Sequence, residues 1–343
     1  MTLIMDLDMN KTSVNTTLIT PSGEPSVILD IILYVLLIIV MFSLGCTADE
    51  KNLRLNFKRP CGLLIGLCCQ FGIMPLSTFL LAFLLKFKSS YAVAIIIVGC
   101  CPGGMASNMA SYWVDGDMDL SLCMTVTSVL LSVIMMPLNL YIYSIPWTHI
   151  GTIIIPYKNL GFMLLFILIP VCFGIFTRRL IAKKAEIIVK VGFIVGTLTM
   201  IVFFGAVVIN GQMWNISASV ICAGFLSPCI GYSLGFLFAR LSRQSWARCR
   251  TICLETGIQN AYTCAIFIEL SFSGLIQQEM MSYVLIYIIA SYGLASLVIE
   301  GHIIYKKCFK KHRSQLPVVN VEELQSFNAH DPLTEQSKPG MEE

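Results

Sequence analysis

The chain has 343 residues, of which 56% are hydrophobic and only 13% charged. A soluble domain is nearer a quarter charged, so this composition excludes an ordinary soluble globule and reads as a polytopic membrane protein. The net charge of +3 excludes little; where the charges fall says more.

Residues 1–26 are polar and contain no apolar h-region of a signal peptide. They carry Asn10-Lys11-Thr12 and Asn15-Thr16-Thr17, glycosylation sequons that put this end outside, with Asn10 and Asn15 as acceptors. A bilayer core of about 30 Å needs about 20 apolar residues per helix. The apolar runs predict nine spans near 27–47, 61–85, 91–113, 118–144, 159–177, 187–210, 217–239, 251–270 and 280–305. An odd count sets the two termini on opposite sides.

Lys and Arg give the orientation. With the N-terminus outside, the inner segments are 48–60, 114–117, 178–186, 240–250 and the tail from 306. They hold Lys51, Arg54, Lys58 and Arg59; Arg178, Arg179, Lys183 and Lys184; Arg240, Arg243, Arg248 and Arg250; and five more from Lys306 to Arg313. The outer segments hold only Lys11, Lys86, Lys88 and Lys158. The positive-inside rule therefore predicts N-out, C-in. From Ser314 the tail is acidic and contains Pro317, Pro332 and Pro339, the composition of a disordered cytosolic chain. The 14 cysteines fall mostly in or beside apolar runs and form no disulfide framework; the pairs Cys68-Cys69 and Cys100-Cys101 read as small apolar core residues.

Three spans are interrupted by polar or helix-breaking groups. The first interruption is Gln70-Phe71-Gly72-Ile73-Met74-Pro75. The second is Cys101-Pro102-Gly103-Gly104 followed by Ser107 and Asn108. The third is Glu255-Thr256-Gly257-Ile258-Gln259-Asn260. A proline followed by two glycines breaks a helix, and unwound backbone at membrane depth survives only inside protein or beside a water-filled cavity. Two such breaks match the discontinuous helices of inverted-repeat transporters.

A carboxylate at mid-membrane costs about 2.5–3.5 kcal/mol on insertion scales, so Glu255 needs a partner. Sodium, a hard cation that takes oxygen ligands, is one candidate. Gln70, Ser107, Asn108 and Gln259 supply neutral oxygens, with freed carbonyls to complete the shell. Pairing of Glu255 with Arg248 or Arg250 is the structural alternative, and for Gln70 a plain helix–helix hydrogen bond competes equally. In the inner loop Asp115-Gly116-Asp117-Met118-Asp119, Asp117 is placed to cap the next helix. Ser121 and Thr125, four apart, share one helical face that can point at Ser107 and Asn108.

At these residues the chain resembles the sodium/bile acid symporter family. The matching motifs are Cys101-Pro102-Gly103-Gly104 with Ser107-Asn108, Gly116-Asp117-Met118-Asp119-Leu120-Ser121 with Met124-Thr125, and Glu255 to Asn260. Similarity extends from about residue 35 to 310, with Tyr112-Trp113-Val114-Asp115 and Gly231 to Phe236 nearest the ileal type. The resemblance implies an all-α polytopic membrane protein with nine transmembrane helices. They would divide into a panel (first, fifth and sixth spans) and a core, derived from inverted repeats, with two broken helices that cross. It implies one sodium site at Ser107, Asn108, Ser121, Thr125 and Glu255, and a second at Gln70, Glu255 and Gln259. Asn260, and with it Tyr262, would meet the substrate between panel and core.

Two stretches depart from the family pattern. Val126-Thr127-Ser128-Val129 stands where Thr-Cys-Ser-Thr is usual, and Tyr262 where a glutamine is usual. The implied activity is inward symport of bile acids or related steroidal organic anions by alternating access. Sodium would be a co-transported ion, with no cofactor. The alternatives are uptake of sulfated steroids or bile alcohol sulfates, or a non-transporting member. The implied domain plan is an extracellular segment 1–26, a transporter domain 27–305 and a cytosolic tail 306–343 in the plasma membrane. Expected partners are the bile salt or steroid-sulfate anion and sodium, no nucleic acid, and a homodimer as a possible assembly. A seven-helix receptor fits poorly with nine spans. A membrane enzyme fits poorly with a sequence that lacks HExxH and has no histidine deep in a span.

Overall fold

The computed structural model describes residues 27–58, 60–148, 153–209 and 216–315. The sequons at Asn10 and Asn15 and the tail beyond Gln315 lie outside the described residues. Among the described residues every element is helical, as a chain surrounded by lipid requires to satisfy its own backbone. In order they are α1 Val27–Gly45, α2 Glu50–Lys58, α3 Cys61–Cys68, a π-helical turn Cys69–Ile73, α4 Met74–Leu84, α5 Ser89–Cys100 and α6 Met105–Trp113. They continue with α7 Met118–Thr148, α8 Tyr157–Leu180, α9 Ala182–Ile209, α10 Ala218–Leu241, α11 Trp246–Gly257, α12 Ala261–Ser271 and α13 Gly274–Gln315.

Among the described residues, five helical stretches are long and apolar enough to cross a membrane: Cys61–Leu84, Met118–Thr148, Tyr157–Leu180, Ala218–Leu241 and Gly274–Cys308. Each overlaps an expected span. The expected spans 91–113 and 251–270 are each two helices, interrupted at 101–104 and 258–260. Several ends overrun the hydropathy boundaries. The segment expected as an inner loop at 178–186 is reduced to Ile181, because α8 runs on to Leu180 and α9 starts at Ala182. Lys183, Lys184 and Glu186 are good helix formers, and Arg178 pairs with Glu186 at 3.6 Å, so polarity ends the membrane run but not the helix. The other expected inner segment, 48–60, contains α2, with Glu50 in its first turn and Lys58 in its last, complementing the helix dipole.

α5 is buried all round, from Ala92 through Cys101, and it packs against α4, α7 and α13. α10 packs on α11 and α13. α1 packs mainly on α8 and α9. The α1–α8 contact is close enough to need glycine: a Cβ on Gly45 would sit 2.2 Å from the Val171 carbonyl, and one on Gly174 the same distance from that of Phe42. Apolar side chains such as Ile134 and Leu138 on α7, and Ile187, Val191 and Ile194 on α9, face outward, as a lipid-facing surface demands.

Candidate functional site

The two helix breaks are bonded to each other. α5 stops at Cys100, and Cys101 and Gly104 take extended backbone angles before α6 begins. α11 stops at Gly257, and Ile258 is extended. Gly103 and Gln259 then pair as an isolated antiparallel bridge, and the Asn260 N–H donates to the Pro102 carbonyl at 2.9 Å. Side chains satisfy the remaining freed groups. The Gly103 N–H donates to Ser128 Oγ (3.1 Å), and Gln70 Nε2 donates to the Cys101 carbonyl (2.7 Å). Tyr287 Oη donates to the Gly257 carbonyl (2.8 Å) and accepts from the Gln259 N–H (3.3 Å). Buried backbone groups rarely go unpaired, and here the pairing is what fixes the crossing.

Glu255 sits in the last turn of α11, 1% exposed. Ser121 Oγ donates to its Oε1 at 2.5 Å, and Thr125 Oγ1 to its Oε2 at 3.0 Å. The Asn108 amide lies 3.0 Å from Oε1, and the groups facing it favour the nitrogen on that side. Ser107 Oγ donates to the Gly104 carbonyl at 2.7 Å. The structure thus gathers Asn108, Ser121 and Thr125 on the carboxylate, with Ser107 at the start of the same helix. Gly103 packs tightly beside it: a Cβ there would lie 3.0 Å from Glu255 Oε2 and 3.3 Å from Ser128 Oγ.

Neither arginine that competed for Glu255 reaches it. Arg248 Nε donates to Asp117 Oδ2 (2.9 Å), and Arg250 Nη2 to the Asp115 carbonyl (2.7 Å). Both hold the turn between α6 and α7, which presents Asn108 to Ser121 and Thr125. Asp117 Oδ1 also caps α7 by accepting the Leu120 N–H at 3.0 Å. Asp115 closes the turn in a left-handed conformation (φ 50°), with the Gly116 N–H donating to the Ser111 carbonyl at 2.8 Å. Lys306 and His302 hydrogen-bond its carboxylate and hold its pKa below the ordinary value.

Gln70 belongs to the π-helical turn. Pro75 has no N–H to give to the Phe71 carbonyl four residues back, and Asn139 Nδ2 fills that place at 2.9 Å. The irregular turn carries Gln70 to the crossing, where Nε2 also donates to Gln259 Oε1. Gln259 Nε2 donates to the Thr256 carbonyl at 2.8 Å. Gln70 thus makes the interhelical hydrogen bond that is one reading of it, and its partner is Gln259.

Asn260 and Tyr262 line a cavity of about 590 Å³ that lies between α1 and α9 on one side and α6, α12 and α13 on the other. Met41, Met109, Phe193 and Tyr292 contribute to its walls, and among the described residues that line it none is Asp, Glu, Lys or Arg. Gly104 and Met105 also line it, at the N-terminus of α6, which has no side-chain cap. Helix N-termini carry partial positive charge. Asn260 Oδ1 caps α12 by accepting the Thr263 N–H (3.1 Å). Tyr262 is 8% exposed, and its hydroxyl is buried with no hydrogen-bond partner.

The sequence reading missed Tyr287 and Asn139. Pro75 announces an orphan carbonyl but not its donor, and nothing local marks Tyr287 as the group that satisfies a break in another helix.

The profile of the Sodium Bile acid symporter family matches residues 34–218. The ileal sodium/bile acid cotransporter of Oryctolagus cuniculus is 44% identical over 294 residues, 85% of this chain and 84% of that protein. Its Homo sapiens counterpart is 42% identical over the same shares of both chains. The sodium-dependent organic anion transporter of Homo sapiens is 39% identical over 292 residues, 84% of this chain and 78% of that one. This is a family of transporters and not of enzymes. With its broken, crossing helices and buried carboxylate among neutral oxygens, the chain belongs to the sodium bile acid symporter family.

Proposed function

We propose that the chain moves bile acids or related steroidal organic anions into the cell together with two sodium ions, by alternating access across nine spans. The carrying observation is Glu255: a wholly buried carboxylate with no cationic partner among the described residues, ringed by hydroxyl and amide groups at the crossing and near a cavity with no charged residue among those described. Sodium, as co-transported substrate, neutralises that carboxylate. Ser107, Asn108, Ser121, Thr125 and Glu255 form one site, and Gln70, Glu255 and Gln259 the other. The steroid body fills the apolar cavity, where Asn260 and Tyr262 meet it, and the uncapped N-terminus of α6 faces its anionic group.

The nine spans are α1, α3–α4, α5–α6, α7, α8, α9, α10, α11–α12 and α13. α1, α8 and α9 form the panel, a reading supported by their mutual packing and by the cavity between α1/α9 and the rest. The charge distribution supports an N-terminus outside, glycosylated at Asn10 and Asn15, and a cytosolic tail from residue 306, in the plasma membrane. A tenfold sodium gradient supplies about 1.4 kcal/mol per ion, and one net charge at about 60 mV supplies about 1.4 kcal/mol more. The drive of about 4 kcal/mol supports roughly thousandfold accumulation. A sulfated steroid is the second substrate reading, supported by the similarity to proteins named sodium-dependent organic anion transporter.

The test is uptake of labelled taurocholate and of a steroid sulfate in cells expressing the chain, in sodium and in choline medium, with Glu255→Ala alongside. The expected result is sodium-dependent uptake of at least one anion that disappears in Glu255→Ala. Absence of sodium-dependent uptake of both, with the protein present at the surface, refutes the proposal.

A further inference from the structure

The break between α11 and α12 strips two backbone groups of helical partners, and one side chain from another helix serves both. In a continuous helix the Gly257 carbonyl would accept from residue 261, and the Gln259 N–H would donate to residue 255. Instead the Ala261 N–H donates to the Gln259 carbonyl at 2.8 Å, and the Gly257 carbonyl takes the hydroxyl of Tyr287 at 2.8 Å. That hydroxyl accepts the Gln259 N–H at 3.3 Å. Tyr287 lies on α13, is 0% exposed and does not line the cavity, so it meets neither bulk water nor cargo there.

The phenol therefore spans the break from its last helical carbonyl to the amide of Gln259. Gln259 is held from its side chain as well, where it donates to the Thr256 carbonyl at 2.8 Å and accepts from Gln70. Rotation of the 258–259 peptide planes would swing that side chain away from Gln70, and the Tyr287 hydroxyl resists it together with the Gly103–Gln259 bridge and the Asn260 N–H on the Pro102 carbonyl.

We propose that Tyr287 is a positioning residue for sodium coupling: through the backbone of the second break it fixes Gln259 in the place where that side chain and Gln70 receive an ion. The inference rests on the sodium-coupled reading above and adds to it a residue that touches neither ion nor anion. Tyr283, one turn earlier on α13, is the internal control. It is equally buried, and its hydroxyl, which has the Ser227 side chain as its polar neighbour, bonds to neither helix break.

The experiment uses the full chain as wild type, Tyr287→Phe and Tyr283→Phe. Taurocholate or steroid-sulfate uptake is titrated with sodium, surface protein is quantified, and melting of the detergent-purified protein is recorded in sodium and in choline chloride. In Tyr287→Phe the half-saturating sodium concentration is expected to rise about three- to tenfold. The sodium-induced rise in melting temperature should shrink, while anion half-saturation at saturating sodium and the surface amount stay at wild-type values. Tyr283→Phe is expected to keep the wild-type sodium dependence. Wild-type sodium half-saturation in Tyr287→Phe overturns the proposal, and so does an equal response of both variants. Failure of Tyr287→Phe to fold in either salt also overturns it, since the hydroxyl would then be structural. A wild-type protein indifferent to sodium in both assays instead takes down the coupling reading on which the proposal rests.

Discussion

Gly103→Ala perturbs the carboxylate without deleting any polar atom. The added Cβ would stand 3.0 Å from Glu255 Oε2 and 3.3 Å from Ser128 Oγ, so one of them must give by a few tenths of an ångström. Ser128 is held by its own bond to the Thr125 carbonyl at 2.9 Å and by the Gly103 N–H. Glu255 Oε2 is held by Thr125 Oγ1, so either displacement strains the same cluster. Overpacking of a well-filled site costs about 1–3 kcal/mol. If that strain falls on the ion-bound geometry, half-saturating sodium rises about five- to 150-fold. The assay is sodium titration of labelled anion uptake, normalised to surface protein, with Gly161→Ala as control because a Cβ there meets nothing within 4 Å. Wild-type sodium dependence in Gly103→Ala, at wild-type surface levels, refutes the assignment of this cluster to sodium.

Two further substitutions probe other parts of the site. Asn139→Leu leaves the Phe71 carbonyl without its donor in the π-helical turn that carries Gln70. The expected loss is about 1–3 kcal/mol, seen as a lower melting temperature of the purified protein, and an unchanged melting temperature counts against it. Tyr262→Phe removes a buried hydroxyl that has no hydrogen-bond partner among the described residues, from a side chain that lines the cavity. Relative uptake should shift against the trihydroxylated taurocholate and toward a steroid sulfate by about fivefold. An unchanged ratio in competition uptake shows that this hydroxyl does not touch the cargo.

The two helix breaks were legible because their cause is local. Pro102-Gly103-Gly104 and Gly257 end helices for reasons written in the residues themselves, and α5 and α11 stop within two residues of those positions. The partners of Glu255 were legible in part. The i,i+4 spacing of Ser121 and Thr125 predicted a shared face, and a four-residue turn left Asn108 little choice but to face it. The inner ends were not legible. Hydropathy falls at Arg178 and at Lys306, yet the helices continue to Leu180 and Gln315, because charged residues propagate a helix as readily as apolar ones once it leaves the lipid. The aromatic brace on α13 was invisible for a different reason. Tyr287 and Tyr283 occupy equivalent positions in an apolar run, and only the third dimension shows which hydroxyl meets a broken backbone.

The hydrogen bonds at the crossing also limit which contact can move in an alternating-access cycle. The two breaks are tied to each other by the Asn260 N–H on the Pro102 carbonyl, to α7 by Ser128, to the π-helical turn by Gln70 and to α13 by Tyr287. Opening even three of these in an unsolvated interior costs about 3–9 kcal/mol. A drive of about 4 kcal/mol cannot be spent there and still concentrate cargo roughly a thousandfold. Across the cavity the situation differs. Between α1 and the crossing helices the structure records a weak hydrogen bond, from Ser43 Oγ to Met105 Sδ at 3.7 Å. Met41 and Phe193 add apolar wall, and apolar surfaces can slide past each other without leaving donors or acceptors bare. Under the proposed symport, the crossing would travel as one unit with its ions, and the seam along α1 and α9 would be the surface that slips.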